Sequence, residues 1–247
     1  MTDVEKLSKI LAESSRAVFF GGAGMSTESG IPDFRSATGI YNQKLHKTFS
    51  PEEMASYNFF VKHTEDFFNF YRTRFIYLDA KPNAGHIALA ELERRGNLAA
   101  IVTQNIDGLH QVAGSKTVYE LHGSIRRSYC TNCGEKYGVD FILNNRPIPY
   151  CEKCGGIVKP DVVLYEESLD GEVLTAAIRA IAQADTLIVG GTSLVVYPAA
   201  GLVDYFHGEH LILINKSETR ADKFAELVIR ENIGETLSQA VNLIGYD

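Results

Sequence analysis

The sequence predicts an α/β protein in which a parallel sheet carries helices on both faces and two insertions form a smaller lobe. Three observations lead there. Short apolar runs stop at glycine or polar residues, as strands buried on both faces do; they are Ala17–Phe20, Ala99–Val102, Val162–Leu164, Thr186–Val189 and His210–Ile214. Helical patterns lie between them, at Asn83–Arg95 and Glu172–Ala182, and strands alternating with helices make a parallel sheet. Two stretches, residues 38–78 and 124–159, break the alternation.

Each element has its own warrant. Val4, Leu7, Ile10 and Leu11 recur at helical spacing, and Thr2 or Asp3 can cap that helix. The run Ala17–Phe20 opens into Gly21-Gly22-Ala23-Gly24, a strand entering a glycine turn. Residues 38–78 hold Phe49, Tyr57, Phe59, Phe60, Phe67, Phe68, Phe70 and Tyr71, which suit a small helical core better than an aromatic binding box. The expected division is a large unit of 1–37, 79–123 and 160–247 and a small one of 38–78 and 124–159.

The four cysteines, Cys130, Cys133, Cys151 and Cys154, form two C-x2-C pairs separated by seventeen residues. Two such turns can close a tetrahedral thiolate cage around one zinc ion; two disulfides or four buried thiols are the alternatives. A four-cysteine site leaves no open coordination position, so this metal is structural and the chemistry lies elsewhere.

Composition narrows the function classes. The chain of 247 residues is 45% hydrophobic and 22% charged, with a formal net charge of −7. That acidity argues against a phosphate-backbone ligand and suits a cationic partner such as a lysine-rich peptide. No stretch approaches the roughly 18 apolar residues of a membrane span, and the start, Met1-Thr2-Asp3-Val4-Glu5, lacks the basic and apolar parts of a signal peptide. Zinc-bound thiolates favour a reducing cytoplasm. A monomer is expected.

Polar residues cluster where strands end, the place where ligands bind such sheets. Gly22-Ala23-Gly24 is either a phosphate loop or an ordinary tight turn. A dinucleotide G-x-G-x-x-G would need glycine where the chain has Thr27. Next come Ser26 and Gly30-Ile31-Pro32-Asp33-Phe34-Arg35, in which Arg35 can fork onto a phosphate or join Asp33 in a surface ion pair. Gln104-Asn105-Ile106-Asp107 follows a second strand, Gly190-Gly191-Thr192-Ser193 a third, and Asn215 a fourth. His122-Gly123 follows Val118–Leu121, and its histidine is a candidate general base or a structural side chain. The convergence suits one extended ligand such as a dinucleotide.

Together these motifs resemble the sirtuin family of NAD-dependent protein deacylases, in its bacterial form with a four-cysteine zinc ribbon. The resemblance spans almost the whole chain, through Gly22–Ser26, Ser29–Arg35, Thr103–Asp107, His122-Gly123, the cysteines and Gly191–Ser193. It implies a Rossmann-like NAD domain, a small lobe of zinc ribbon and helices, and a cleft where NAD meets acetyl-lysine of a protein or peptide. By matching position, Gly22, Ala23, Gly24, Thr27, Asp33, Phe34 and Arg35 line the NAD loop. Gln104 contacts the nicotinamide ribose, Asn105, a catalytic residue beside His122, arranges that ribose and nearby water, and Ile106 and Asp107 contact the nicotinamide. Gly191, Thr192, Ser193, Asn215 and Ile233 hold the adenosine half. Phe34, Val163, Leu164, Tyr165, Leu194 and Val195 meet the substrate, and His122 is the general base.

The implied reaction consumes NAD without hydride transfer. The acyl oxygen displaces nicotinamide, His122 takes a proton from a ribose hydroxyl, and the products are lysine, nicotinamide and O-acyl-ADP-ribose. One departure stands out. Tyr165-Glu166-Glu167 replaces an aromatic-Gly-Glu pattern in a loop that pairs with the peptide as an added strand, and glutamate resists the positive φ that glycine allows. Tyr71 and Arg74 match the spacing by which some relatives bind succinyl or malonyl carboxylates, whereas Phe49 would shorten the pocket to suit acetyl. Deacetylation is the expected activity. Desuccinylation, mono-ADP-ribosyl transfer or a non-catalytic NAD-binding role are the competitors.

Overall fold

The computed structural model describes residues 1–34, 39 and 48–245. Helix α1 (Asp3–Glu13) leads into strand β1 (Ala17–Gly21) and a 3₁₀ segment at Ala23–Ser29. The first insertion supplies α2 (Pro51–Met54), α3 (Tyr57–Lys62) and α4 (Thr64–Arg74). Then come α5 (Ala84–Arg95), β2 (Leu98–Thr103), α6 (Leu109–Val112) and β3 (Val118–Glu120). The second insertion holds β4 (Gly123–Cys130), β5 (Lys136–Gly138), α7 (Val139–Asn144) and β6 (Val158–Val162). The chain continues through α8 (Gly171–Ala182), β7 (Thr186–Gly190), β8 (His210–Ile214), β9 (Leu227–Ile229) and α9 (Ile233–Leu243).

Local chemistry sets the helix ends. Thr2 caps α1 and is met by Glu5 in a reciprocal capping box, which satisfies two amides that the first turn leaves unpaired. Asn83 caps α5 by accepting from the Gly85 and His86 amides, and Asp170 does the same for α8 with Glu172 and Val173.

The six-stranded sheet runs β3-β2-β1-β7-β8-β9, with every pair parallel. Strand order turns around between β1 and β7. Such a switch point opens a crevice at the carboxyl ends of the strands. Side chains alternate across the sheet. Phe19, Ile101, Ile188 and Ile212 pack with Leu11 of α1, Leu89 of α5 and Leu237 of α9. Val18, Phe20, Val102, Leu187 and Leu213 face the other way, against Ile181 of α8 and Leu202. Burying each of these large side chains contributes about 1.5–3 kcal/mol, so the two apolar layers hold the sheet.

A third cluster builds the smaller part. Phe59, Phe60, Phe67, Phe68 and Tyr71 of the first insertion pack on Ile125, Cys130, Ile142, Cys151 and Val158 of the second. Arg72, also buried, donates to the carbonyls of Ile142, Asn145 and Pro147 and so joins α4 to the segment after α7.

Two expectations need correcting. The strand placed at Val162–Leu164 instead spans Val158–Val162, and it is not in the parallel sheet. It pairs antiparallel with β4 in a three-stranded sheet ordered β5-β4-β6. Lys159 and Pro160 hid it, because a lysine breaks an apolar run; here the lysine is buried and ion-paired to Glu167. The edge strand β9 and helix α9 were also missed, β9 because three residues give too short a pattern.

Candidate active site at the carboxyl edge of the sheet

The glycine turns after β1 and β7 interlock. The Gly22 amide donates to the Gly190 carbonyl at 3.2 Å, and the Gly24 amide to that of Gly191 at 2.8 Å. A Cβ on Gly24 would lie 2.7 Å from Gly191 Cα, so a side chain there would drive the two turns apart. Asn83 ties the 3₁₀ segment down from α5, donating to the Met25 carbonyl (2.7 Å) and the Ser29 hydroxyl (3.1 Å). Its place at the start of α5 was legible in the sequence; its capping and this second role were not.

The end of β2 meets both turns. The Gln104 amide donates to the Gly21 carbonyl at 3.0 Å, and Gln104 Nε2 to Thr192 Oγ1 at 3.1 Å. Asn105 Nδ2 donates to Ser26 Oγ at 3.0 Å, and that hydroxyl donates to Asp107 Oδ2 at 2.7 Å. Asn105 and Asp107 are both buried. Burial pushes the Asp107 carboxyl up from its ordinary pKa, against the opposing donations from the Leu109 amide and Ser26. Ile106 packs against the aromatic cluster of the insertions, so this turn bridges both parts of the molecule.

His122 stands between β3 and β4. Its Nδ1 lies 3.0 Å from the Gln104 carbonyl oxygen. A carbonyl can only accept, so Nδ1 carries the proton and Nε2 keeps its lone pair. Burial lowers the His122 pKa, with the Gln104 carbonyl pulling the other way. The imidazole is thus neutral at neutral pH, as a general base must be. Gly123 has φ +74°, and a Cβ there would strike the Asp161 carbonyl oxygen. The chain can therefore turn directly from His122 into β4 only through glycine.

The remaining expected residues fall around this centre. Gly22 is buried, Ala23 is half-buried and Thr27 is exposed, its hydroxyl donating to the Gly24 carbonyl at 2.9 Å. Asp33 and Phe34 are half-buried, with the Phe34 ring 6.1 Å from Phe75. Arg35 lies outside the described residues. Thr192 is buried and Ser193 exposed. Ile233, at the start of α9, packs over Gly190. Asn215 follows β8 directly, and its Nδ2 donates to the Ser217 carbonyl at 2.7 Å.

The two segments expected to take substrate join the same network. The Val163 amide donates to the His122 carbonyl at 3.0 Å, and the Leu194 amide to Thr192 Oγ1 at 3.3 Å. Leu164 and Leu194 are buried, and Tyr165 and Val195 are exposed. Glu166 adopts the positive φ that glutamate resists, at +77°, and is strained there. The pairing of Lys159 with Glu167, which braces this loop, was missed.

The four cysteine sulfurs all lie within 4.8 Å of one another, and none forms a disulfide. Cys130 and Cys154 sulfurs are 3.4 Å apart, and those of Cys133 and Cys151 3.7 Å. Tetrahedral zinc with thiolates at about 2.3 Å puts sulfurs roughly 3.8 Å apart, so the set fits one zinc ion. Tyr137 donates its hydroxyl to Cys151 Sγ at 3.2 Å and holds that thiol down at about 6. That favours the thiolate a metal needs.

Comparison with known proteins agrees with this geometry. A protein deacetylase of Clostridium perfringens, named as NAD-dependent, is 60% identical over 97% of this chain and 98% of its own length. One of Staphylococcus aureus is 44% identical over 94% and 95%. Among solved structures, a Sir2–p53 peptide–NAD+ complex superposes with a TM-score of 0.85 at 39% identity, covering 98% of each chain. A Sir2 variant with deacetylated p53 peptide and 3′-O-acetyl ADP ribose gives 0.89 at 38% identity, again over 98% of both. The Sir2 family model matches residues 22–198, from the first glycine turn to the segment beyond Leu194, and the chain belongs to the Sir2 family.

Proposed function

We infer that this chain is an NAD-dependent protein-lysine deacetylase. Acetyl-lysine, NAD and water give lysine, nicotinamide and O-acetyl-ADP-ribose. The acetyl group passes to ADP-ribose, so the enzyme is a transferase. The observation that carries this reading is His122, held neutral by burial with Nδ1 committed to the Gln104 carbonyl and Nε2 left as a base.

The donor set suits NAD, whose glycosidic bond supplies the driving force. Turns from four neighbouring strands offer amides and hydroxyls, and the buried Asp107 can accept from a carboxamide. Gly22, Ala23, Gly24, Thr27, Asp33, Phe34 and Arg35 are assigned to the pyrophosphate loop. Gln104 and Asn105 serve the ribose, Ile106 and Asp107 the nicotinamide, and Gly191, Thr192, Ser193, Asn215 and Ile233 the adenosine. His122 takes a ribose hydroxyl proton at Nε2. Phe34, Val163, Leu164, Tyr165, Leu194 and Val195 receive the acetylated protein. Cys130, Cys133, Cys151 and Cys154 hold a structural zinc.

The division into a large unit (1–37, 79–123, 160–247) and a small unit (38–78, 124–159) is supported by the separate apolar clusters, with β6 beginning just before the boundary. A cytoplasmic monomer fits the reduced cysteines, and no helix among the described residues is long and apolar enough to cross a membrane. The net charge of −7 disfavours nucleic acid as a partner.

Mass spectrometry of products from NAD and an acetyl-lysine peptide tests the activity. One O-acetyl-ADP-ribose per nicotinamide is expected. ADP-ribose found on a peptide or protein side chain, with no acetyl transfer, would replace this reading with ADP-ribosyl transfer.

A further inference from the structure

Among the described residues, the two non-glycine residues with left-handed backbone are Glu166 (φ +77°) and Leu194 (φ +52°). An L side chain is strained there, and such an outlier persists only where its surroundings fix it. The two strained residues stand in or beside the two segments proposed to receive the peptide. Those segments are joined through His122: Val163 amide to His122 carbonyl, His122 Nδ1 to Gln104 carbonyl, Gln104 Nε2 to Thr192 Oγ1, and Leu194 amide to the same hydroxyl.

Leu194 is 2% exposed, so packing holds it in place. Glu166 is exposed and has no such packing. Its carboxylate instead accepts from the Asn58 amide on α3 at 2.9 Å. The same loop has two other fastenings. Tyr165 pairs through its backbone with Ala55 (3.1 Å) and Tyr57 (3.0 Å). Glu167 accepts from the Leu164 amide at 2.8 Å and pairs with the buried Lys159 at 2.9 Å. A glycine at position 166 would keep both of these and ease the backbone. It would lose only the contact with the Asn58 amide, which needs a side-chain acceptor, and would leave the Tyr57 amide of α3 on the Tyr165 carbonyl.

We propose that Glu166 is a positioning residue that latches the peptide-receiving loop onto α3 and thereby sets the affinity for the acyl peptide. This rests on the assignment of residues 163–165 to the peptide. An unlatched loop samples more conformations, and binding must then order it. The side chain acts as an acceptor in this role, so charge is not required of it.

The test compares the full-length parent, Glu166→Gly and Glu166→Gln, assayed with NAD and an acetyl-lysine peptide with uncharged flanks. Loss of one hydrogen bond predicts that Glu166→Gly raises peptide KM by about three- to tenfold, with kcat and the KM for NAD unchanged. Glu166→Gln, whose amide oxygen can accept from Asn58, should recover most of that loss. Amide exchange at Asn58 should be faster in Glu166→Gly than in Glu166→Gln. An unchanged or lower peptide KM in Glu166→Gly overturns the latch. So does an equal loss in Glu166→Gln, which would assign the effect to charge, or a parallel rise in the KM for NAD. The underlying assignment has a separate readout: absence of peptide-induced exchange protection at 163–165 in the parent would remove the peptide from this loop whatever Glu166 does.

Discussion

The Val163 amide donates to the His122 carbonyl oxygen at 3.0 Å, so the start of the proposed peptide-receiving loop is fixed to the backbone of the proposed general base. The imidazole of the same residue is fixed by the Gln104 carbonyl, on the turn that also meets Thr192. His122 therefore has its backbone anchored to one proposed substrate segment and its ring anchored to the proposed NAD side. Proton transfer needs both partners placed within hydrogen-bond reach, and this double anchorage provides that placement.

Removing the base should separate binding from chemistry. His122→Ala is expected to keep NAD affinity and to lose deacetylation by about 10²–10⁴-fold. Because burial lowers the His122 pKa, the active neutral imidazole is present above that lowered value and is lost as pH falls through it. The acid limb of kcat/KM should therefore lie below the ordinary histidine value of 6.5. Activity of His122→Ala within a few-fold of the parent, or an acid limb above that value, would remove His122 from the role.

A buried pair of histidines should make stability fall in acid. His86 and His110 are buried side by side, with ring centroids 4.7 Å apart and ring planes tilted by 55°. His86 Nδ1 accepts from the Asn83 amide at 3.3 Å, and its Nε2 and both nitrogens of His110 have no hydrogen-bond partner among the described residues. Burial lowers His86 to about 4 and His110 to about 3, the latter also through His86 itself. Between those values and 6.5 the unfolded chain binds protons that the fold excludes, so stability is full above 6.5 and is lost as pH falls. At pH 5 the loss is roughly 2 kcal/mol per histidine. Urea midpoints at pH 7 and pH 5 measure it, and His110→Leu should shrink the difference. An unchanged difference in that variant would clear the pair of this role.

The cysteine cage should act on the fold and not on the chemistry. Its cysteines Cys130 and Cys151 sit in the same cluster as Phe59, Phe67 and Tyr71, so losing the metal loosens the insertions first. Chelation or Cys151→Ser should lower stability, with activity falling in step with unfolding. A metal-free protein that keeps its melting temperature but loses turnover would make the zinc catalytic.

Much of this was legible because it is local. The parallel strands end in glycine or polar residues, and the cysteine spacing alone gathers four sulfurs. The helix starts at Thr2 and Asn83 follow from side chains that cap their own turns. What was hidden depends on partners outside the repeating pattern, some a few residues away and some far along the chain. Lys159 looks like a break in a strand until Glu167 and the Val162 carbonyl neutralise and bind its ammonium. Glu166 looks hostile to positive φ until the Asn58 amide, more than a hundred residues earlier, receives its carboxylate. The Ser26–Asp107 contact joins two turns that the sequence shows separately.

The acyl pocket gives the last prediction. The Phe49 ring meets Phe59 edge-on at 5.0 Å and His63 at 5.1 Å, at the border of the aromatic cluster. The Tyr71 ring stacks between Phe67 (5.9 Å) and Phe75 (5.8 Å), and its buried hydroxyl has no hydrogen-bond partner among the described residues. Burial, and then the negative charge of Asp161, push its pKa up. The same charge would repel an acyl carboxylate brought to that hydroxyl, so acetyl should be preferred to succinyl. An unpaired buried hydroxyl costs about 1–3 kcal/mol. Tyr71→Phe is thus expected to raise stability by about 1 kcal/mol and to leave the acetyl-to-succinyl ratio of kcat/KM unchanged. Phe49→Ala should narrow that ratio by opening space at the edge of the cluster. If the parent prefers succinyl and Tyr71→Phe abolishes the preference, the hydroxyl reads the acyl carboxylate and the ranking of substrates is reversed.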